Sequence, residues 1–385
     1  MIPGTMSEKV CHLTSVHRRY DTRIFDKECG SLAKAGYDVV LIVNDENCGE
    51  TADNGVRIVS TGIFFKNKRD RMIKGARAVY ELALKEKASL YHIHDPELIP
   101  YGLKLLKKGY PVIWDSHEEY MSLIDRKEYI PGIMRKPGSL AFRTFYKHAL
   151  RKFSAVVTVT PGQEPLISDY AKSVTMVTNY PIIDPEESCE HEYDSQKIVF
   201  AGGISHQWDH REIIEAIRGE SELRYVLLGP VVGNNYMDEL KSLPNWDQVD
   251  YLGRIPHSEV ADVLRRCAVG MALLKPSKNT FGRQGTIGNT KIFEEMEAGL
   301  PVICTDFDLW KDIISKYYCG ILVDPDDIPG IRAAILKLTS DPVLCREMGQ
   351  NGRRAILEEY NWGTQEKILL DLYKRVLGSA KKLEK

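Results

Sequence analysis

Short β-branched or aliphatic runs alternate with helical patterns along almost the whole chain, and this alternation limits the fold more than any other feature. In the first half the runs fall at residues 10–16, 39–43, 90–93, 112–114, 155–159 and 174–177; in the second half at 198–201, 225–228, 249–252, 269–274, 302–305 and 321–323. Strands that alternate with helices imply parallel sheets covered on both faces, and two sets of about six imply two doubly wound α/β domains. A chain of 385 residues exceeds one ordinary core and suits that division. Residues 179–187 carry Pro181, Pro185 and an acidic cluster, which makes them a plausible hinge and sets the expected domains at 1–183 and 184–363.

Composition removes several classes. Hydrophobic residues make up 43% and charged residues 28%, with no apolar run near the roughly 20 residues needed to span a bilayer. Residues 1–9 hold no apolar signal-peptide core, and the eight cysteines are scattered without a Cys-x-x-Cys pair. Buried free thiols in a reducing cytoplasm are the expectation. Net charge is +6 over residues 1–180 and −8 over 181–385, so an anionic ligand or surface is expected at the first half. A pI of 6.6 argues against nucleic acid.

In doubly wound domains ligands bind beyond the carboxyl ends of the strands. Polar residues gather there. The first run is followed by Thr14, Ser15, His17, Arg18, Arg19, Asp21 and Arg23, ahead of a helix expected near Ile24; later runs end in His94-Asp95 and in Asp115-Ser116-His117-Glu118. In the second half Gly202-Gly203, Gly229 and Gly253-Arg254-Ile255 are strand-end turns that let a ligand approach the backbone. Either histidine alone reads as a core residue bonded to a carbonyl; two at adjacent strand ends point to function. Their spacing lacks a metal-ligand pattern, so no metal is expected. No Gly-x-Gly-x-x-Gly follows the first strand, and neither a Walker A sequence nor a Gly-x-Ser-x-Gly elbow occurs.

Residues 288–303 combine a helix with the strand that follows. Asn289 and Thr290 are N-cap residues, Ile292, Phe293 and Met296 share one face, and Gly299 stops the helix. A helix start offers N–H groups to phosphate, and Glu294 can accept from the vicinal hydroxyls of a ribose. The alternative is an ordinary α/β connection with a solvated glutamate. A second ambiguous stretch interleaves Arg126, Lys127, Arg135, Lys136, Arg143, Lys147, Arg151 and Lys152 with Tyr129, Ile133, Met134, Leu140, Phe142, Phe145 and Tyr146. That mixture suits contact with an anionic membrane or a pair of ordinary amphipathic helices.

Taken together, the chain resembles retaining glycosyltransferases of the GT-B fold, specifically glycosyltransferase family 4 and its bacterial surface-polysaccharide branch. The resemblance runs nearly end to end. It is carried by Thr14-Ser15-Val16-His17, by Asp21-Thr22-Arg23-Ile24-Phe25 with Lys27-Glu28, and by His92-Ile93-His94-Asp95-Pro96-Glu97. Tyr251-Leu252-Gly253-Arg254-Ile255-Pro256, the stretch 291–303, and Trp362 ahead of a last amphipathic helix add to it. The resemblance implies two Rossmann-like domains facing across a cleft, with the C-terminal helix, 364–385, packing back on the first. It implies donor binding by Gly203, Gly229, Arg254, Ile255, Asn289, Thr290, Lys291 and Glu294, catalysis by His94, Glu294 and Arg283, and acceptor binding by His17, Arg18, Asp21, Arg23 and His117. The donor is a nucleotide-diphosphate sugar and the acceptor a glycan or lipid-linked saccharide. No cofactor or metal is implied, and the setting is the cytoplasm with peripheral contact at the inner membrane face.

Two positions depart from the family pattern. Thr286 stands where the first glutamate of the Glu-x7-Glu motif belongs, and Trp208 where a basic residue is usual. Arg283 and Lys291, with His206 or His210, are expected to supply the missing positive charge. Two rival readings use the same fold: a sugar-nucleotide epimerase, and a degenerate non-catalytic partner that binds donor only.

Overall fold

A computed structural model describes residues 7–63, 65, 67–121, 132–186, 193–233 and 235–383. The chain forms two compact units, Met1–Asn179 with Gly363–Lys385, and Tyr180–Trp362. Tyr180 belongs with the second because its ring lies 4.8 Å from Phe293 and 5.5 Å from Tyr360.

The first unit is an eight-stranded sheet. Its strands are β1 (Lys9–Leu13), β2 (Asp38–Val43), β3 (Glu50–Thr51), β4 (Arg57–Ser60), β5 (Leu90–Ile93), β6 (Val112–Ser116), β7 (Ala155–Thr158) and β8 (Val174–Met176), in the order β3-β4-β2-β1-β5-β6-β7-β8. All neighbours are parallel except the β3–β4 pair. The second unit has β9 (Asp194–Ala201), β10 (Arg224–Leu228), β11 (Val249–Gly253), β12 (Cys267–Ala272), β13 (Val302–Thr305) and β14 (Gly320–Val323), all parallel, in the order β11-β10-β9-β12-β13-β14. Chain direction across each sheet reverses beside its first strand, between β1 and β5 and between β9 and β12. Those reversals open the crevices where doubly wound sheets take ligands.

Every run anticipated as a strand is one. The sequence reading missed β3 and β4; β4 pairs with β2, but only Ile58 in it is fully buried, so it shows no apolar run. β1 stops at Leu13 rather than residue 16, because the next residues turn onto Asp95. Its Oδ2 accepts from Thr14 Oγ1 at 2.8 Å, Ser15 N at 2.6 Å and Val16 N at 3.2 Å.

Alternation along β1 and β5 sorts side chains to two faces. Cys11, Leu13, Tyr91 and Ile93 enter a core shared with Trp114, Phe153 and Val156. His12, His92 and His94 take the opposite face, which the final helix, Trp362–Leu383, reaches through Tyr373. Leu369 and Leu372 are buried on the same helix, each worth about 1.5–3 kcal/mol.

The basic and aromatic stretch is a helix, Gly132–Leu150. Its aromatic residues face inward: Tyr146 is buried with its Oη 3.0 Å from Trp114 Nε1, and Phe142 and Phe145 pack on the core, leaving Leu140 exposed. The membrane-facing reading of those three aromatics is therefore corrected. Arg126, Lys127 and Tyr129 lie outside the described residues, as do the side chains of Ile133, Met134 and Arg135. Among the described residues no helix is long and apolar enough to cross a membrane. Cys11, Cys29, Cys267, Cys304, Cys319 and Cys345 are free and buried, and Cys48 is free and exposed.

Candidate functional site

Three adjacent strands of the second unit end in glycine and make the floor of a pocket. Gly202, just past β9, donates its N–H to Leu228 O at 2.9 Å; Gly229, just past β10, donates to Gly253 O at 2.8 Å. Gly229 has φ +133°, and a Cβ there would stand 1.8 Å from Gly202 O, so both its conformation and its closeness require glycine. A Cβ on Gly202 would stand 2.6 Å from Lys291 Cε, so the lysine stem crosses directly over that residue. The pocket encloses about 240 Å³, with Arg254 and Ile255 on one side and Lys291 and Glu294 on the other.

Lys291 and Glu294 stand on a seven-residue helix, Lys291–Glu297. Asn289 Oδ1 accepts from Lys291 N at 3.1 Å, so Asn289 makes the cap; Thr290 makes no side-chain cap bond. Ile292, Phe293, Glu295 and Met296 are buried. Glu295 lies against Gly270, where a Cβ would stand 2.6 Å from its Cδ, and burial raises its carboxyl well above the ordinary range. The turn therefore hands Lys291 and Glu294 to the pocket, where Lys291 Nζ lies 2.8 Å from Glu294 Oε2.

Gly229, Arg254, Ile255, Lys291 and Glu294, among the expected donor residues, meet at this pocket. Gly202 joins them where Gly203 was named; a Cβ on Gly203 would instead face Val232. Asn289 and Thr290 are not among the lining residues. Arg283 is placed elsewhere: it is half exposed, bonded to Asp306 and Asp324, and its charge is already balanced by two carboxylates. Trp208 is buried edge-on to Phe200, 4.9 Å between ring centres. His210 is buried, with its pKa pushed down to about 3 by desolvation, and so brings no positive charge; His206 is exposed. Thr286 turns inward on itself, its Oγ1 accepting from Gly288 N at 3.1 Å.

In the first unit the carboxyl ends of β1, β5 and β6 hold a buried histidine and carboxylate cluster. His94, expected to touch substrate, is fully buried with both ring nitrogens occupied: Nε2 lies 2.9 Å from His12 Nδ1, and Nδ1 lies 3.2 Å from His117 Nε2. Arg23 is likewise interior, with Nη2 3.0 Å from Asp115 Oδ2, Nε 3.1 Å from Glu28 Oε1 and Nη1 donating to Val177 O at 3.0 Å. It builds the cluster instead of reaching an acceptor. Asp21 caps the helix Thr22–Cys29, accepting from Arg23 N and Ile24 N, and lies 3.1 Å from His17 Nδ1. Burial opposes ionisation of Asp21, but the bond from His17 and these amides hold its pKa below the usual carboxylate range. Arg18 is exposed, while His17 and His117 are partly exposed at the mouth.

Residues given no role in the sequence reading complete this cluster: His12 and Tyr373, with His92 and Glu28, which enter there only through the resemblance. Burial raises Glu28 well above the ordinary carboxylate value, while Asp115, whose burial is outweighed by Arg23, stays ionised. His12, Glu28, His92 and His94 are close enough to consider a metal. Glu28 Oε2 is 3.8 Å from His12 Nδ1 and His94 Nε2 and 3.9 Å from His92 Nδ1. The rings of His12 and His94, however, have centres 5.2 Å apart and planes 18° apart with nitrogens 2.9 Å apart, so they meet edge to edge. Their lone-pair directions meet each other in an N–H···N bond rather than converging on an ion.

Comparison with known proteins gives both halves a family. Residues 26–186 match the model "Glycosyltransferase Family 4", and residues 186–355 match "Glycosyl transferases group 1". The chain is built of two glycosyltransferase domains. An uncharacterized glycosyltransferase of Methanocaldococcus jannaschii is 23% identical over 250 residues, covering 63% of this chain and 67% of that protein. Sucrose-phosphate synthase from Thermosynechococcus elongatus shares the fold with a TM-score of 0.73 at 15% identity, covering 97% of this chain and all of that one. Anabaena HepE, solved with UDP and glucose, follows at 0.66 and 11%, covering 96% and 100%. The glycosyltransferase fold is GT-B, with the group 1 domain holding the glycine pocket and the family 4 domain holding most of the histidine cluster.

Proposed function

We propose that the protein transfers a sugar, with retention of anomeric configuration, from a nucleotide-diphosphate donor to a glycan or lipid-linked acceptor in surface-polysaccharide synthesis. One observation carries the donor assignment: a cation and a carboxylate, three residues apart on one helix, face the same glycine-floored pocket. Lys291 meets the diphosphate, and Glu294 accepts from the ribose hydroxyls. The strand-end glycines admit the nucleotide against the backbone, and Ile255 offers an apolar wall for the base. HepE, a neighbour in fold, was solved with UDP and glucose, which supports a donor of this class.

Breaking the anomeric C–O bond leaves a negative diphosphate and a cationic sugar. Lys291 offsets part of the charge on the first. The mouth of the histidine cluster, with His17 and His117, meets the acceptor and the reacting sugar. Incubation with UDP- and GDP-sugars tests the reading: nucleoside diphosphate released only when an acceptor is present supports transfer. Release without acceptor, or interconversion of the donor sugar, contradicts it. Cytoplasmic peripheral contact with an anionic membrane is tested by co-sedimentation with anionic vesicles at low salt, and absence of binding removes it.

A further inference from the structure

The hydrogen bonds of the buried histidines form a single line that ends on the last helix. His117 Nε2 lies 3.1 Å from Asp115 Oδ2 and 3.2 Å from His94 Nδ1. His94 Nε2 lies 2.9 Å from His12 Nδ1, His12 Nε2 lies 2.8 Å from Tyr373 Oη, and Tyr373 Oη lies 2.8 Å from His92 Nδ1. The planes of His94 and His12 differ by 18° and those of His12 and Tyr373 by 9°, and ring centres as far apart as 5.2 Å and 6.2 Å over contacts of 2.9 Å and 2.8 Å set the rings edge to edge, so these contacts run close to the ring planes where N–H bonds and lone pairs point. Burial keeps His12 and His92 well below the ordinary histidine value and His94 at about 4, so the three imidazoles are neutral at pH 7.

A neutral imidazole has one N–H and one bare nitrogen, so each member of such a line dictates the tautomer of the next. The direction is set at the mouth. Ionised Asp115, paired with Arg23, requires an N–H on His117 Nε2. His94 Nδ1 lies 3.2 Å from that nitrogen and 3.5 Å from Asp115 Oδ2, so the shorter contact assigns it as the acceptor of the His117 N–H, which puts the proton on His94 Nε2, donated to His12 Nδ1. His12 then carries its proton on Nε2 and donates to Tyr373 Oη, whose own proton goes to His92 Nδ1.

We infer that Tyr373 is a positioning residue for the transfer reaction. By accepting from His12 it holds His94 in the Nε2–H tautomer, with Nδ1 left as an acceptor toward His117 at the site mouth. Without the hydroxyl, the Nε2–H of His12 becomes a buried donor with no partner at that position, a penalty that shifts tautomer populations by roughly tenfold or more. Reversal at His12 reverses His94 with it. The inference rests on the reading that the mouth of this cluster meets the reacting sugar.

Imidazole nitrogen NMR on the full chain with labelled histidine tests it. In the wild type His12 and His94 are both expected as neutral Nε2–H tautomers; an Nδ1–H tautomer or an imidazolium at either overturns the inference, with no variant needed. In Tyr373→Phe, which keeps the ring, both are expected to gain Nδ1–H population, while kcat falls roughly tenfold or more and the donor KM holds. Unmoved tautomers in the folded variant overturn the inference even if kcat falls, because that loss would then be structural. His94→Gln separates the underlying reading: full turnover there removes the cluster from the chemistry and leaves the tautomer result standing.

Discussion

Lys291 Nζ and Glu294 Oε2 lie 2.8 Å apart, so the pocket's cation and its carboxylate are already partners. Their side chains are 22% and 24% exposed, an environment between interior and surface where the pair is of modest worth. On the proposed donor assignment a diphosphate competes with Glu294 for the ammonium, and a ribose replaces the ammonium as donor to the carboxylate. One ligand thus meets both groups at once.

Lys291→Ala is expected to weaken nucleoside diphosphate binding by roughly tenfold or more, the scale of one charge-assisted contact. Arg283→Ala, whose charge Asp306 and Asp324 already balance, is expected to change it less than about twofold. Calorimetric titration of both variants checks the contrast. Equal losses would return Arg283 to the diphosphate.

The two floor glycines are expected to fail differently. Gly229→Ala forces a Cβ to 1.8 Å from a backbone oxygen at φ +133° and should destabilise the domain by several kcal/mol. Gly202→Ala meets side chains only, the flexible stem of Lys291 at 2.6 Å and the buried Phe200 ring at 3.0 Å, so the melting temperature should fall less than in Gly229→Ala while donor affinity drops. Thermal melts with and without UDP or GDP separate the cases.

Burial holds His92 well below its ordinary value, so the unfolded chain binds a proton that the folded chain refuses as pH falls below about 6.5. Its contribution to stability is therefore lost toward acid. His92→Phe removes that dependence without opening a cavity. Between pH 6.5 and 5 the wild type should lose about 1.6 kcal/mol in all relative to the variant, the slope rising toward about 1.4 kcal/mol per pH unit at the acid end. Urea unfolding at both values measures the difference, and parallel curves would contradict a neutral, buried His92.

Much of this was legible in the sequence because the strands are buried runs and the pocket is made where they end. Gly229, Arg254 and Ile255 follow their strands directly, and Lys291 and Glu294 share one helix turn. Gly202 and Gly203 are adjacent glycines, and only the path of the Lys291 stem distinguishes them. Arg283 looked available because Asp306 and Asp324 are remote in sequence and meet it only in the fold. The His92-x-His94 spacing puts two imidazoles on one face of a strand, a signal available for His92 but not drawn on. Their partners were out of reach: Tyr373 is 361 residues from His12.

The most direct test of the donor site is calorimetric titration of UDP, GDP and their 2′-deoxy forms into wild type and Glu294→Ala. The carboxylate bond to ribose predicts that wild type prefers the ribonucleotide by roughly tenfold or more, and that the variant loses this preference along with the affinity. Ribonucleotide binding that is equally tight in Glu294→Ala would contradict the assignment of this pocket to the nucleotide.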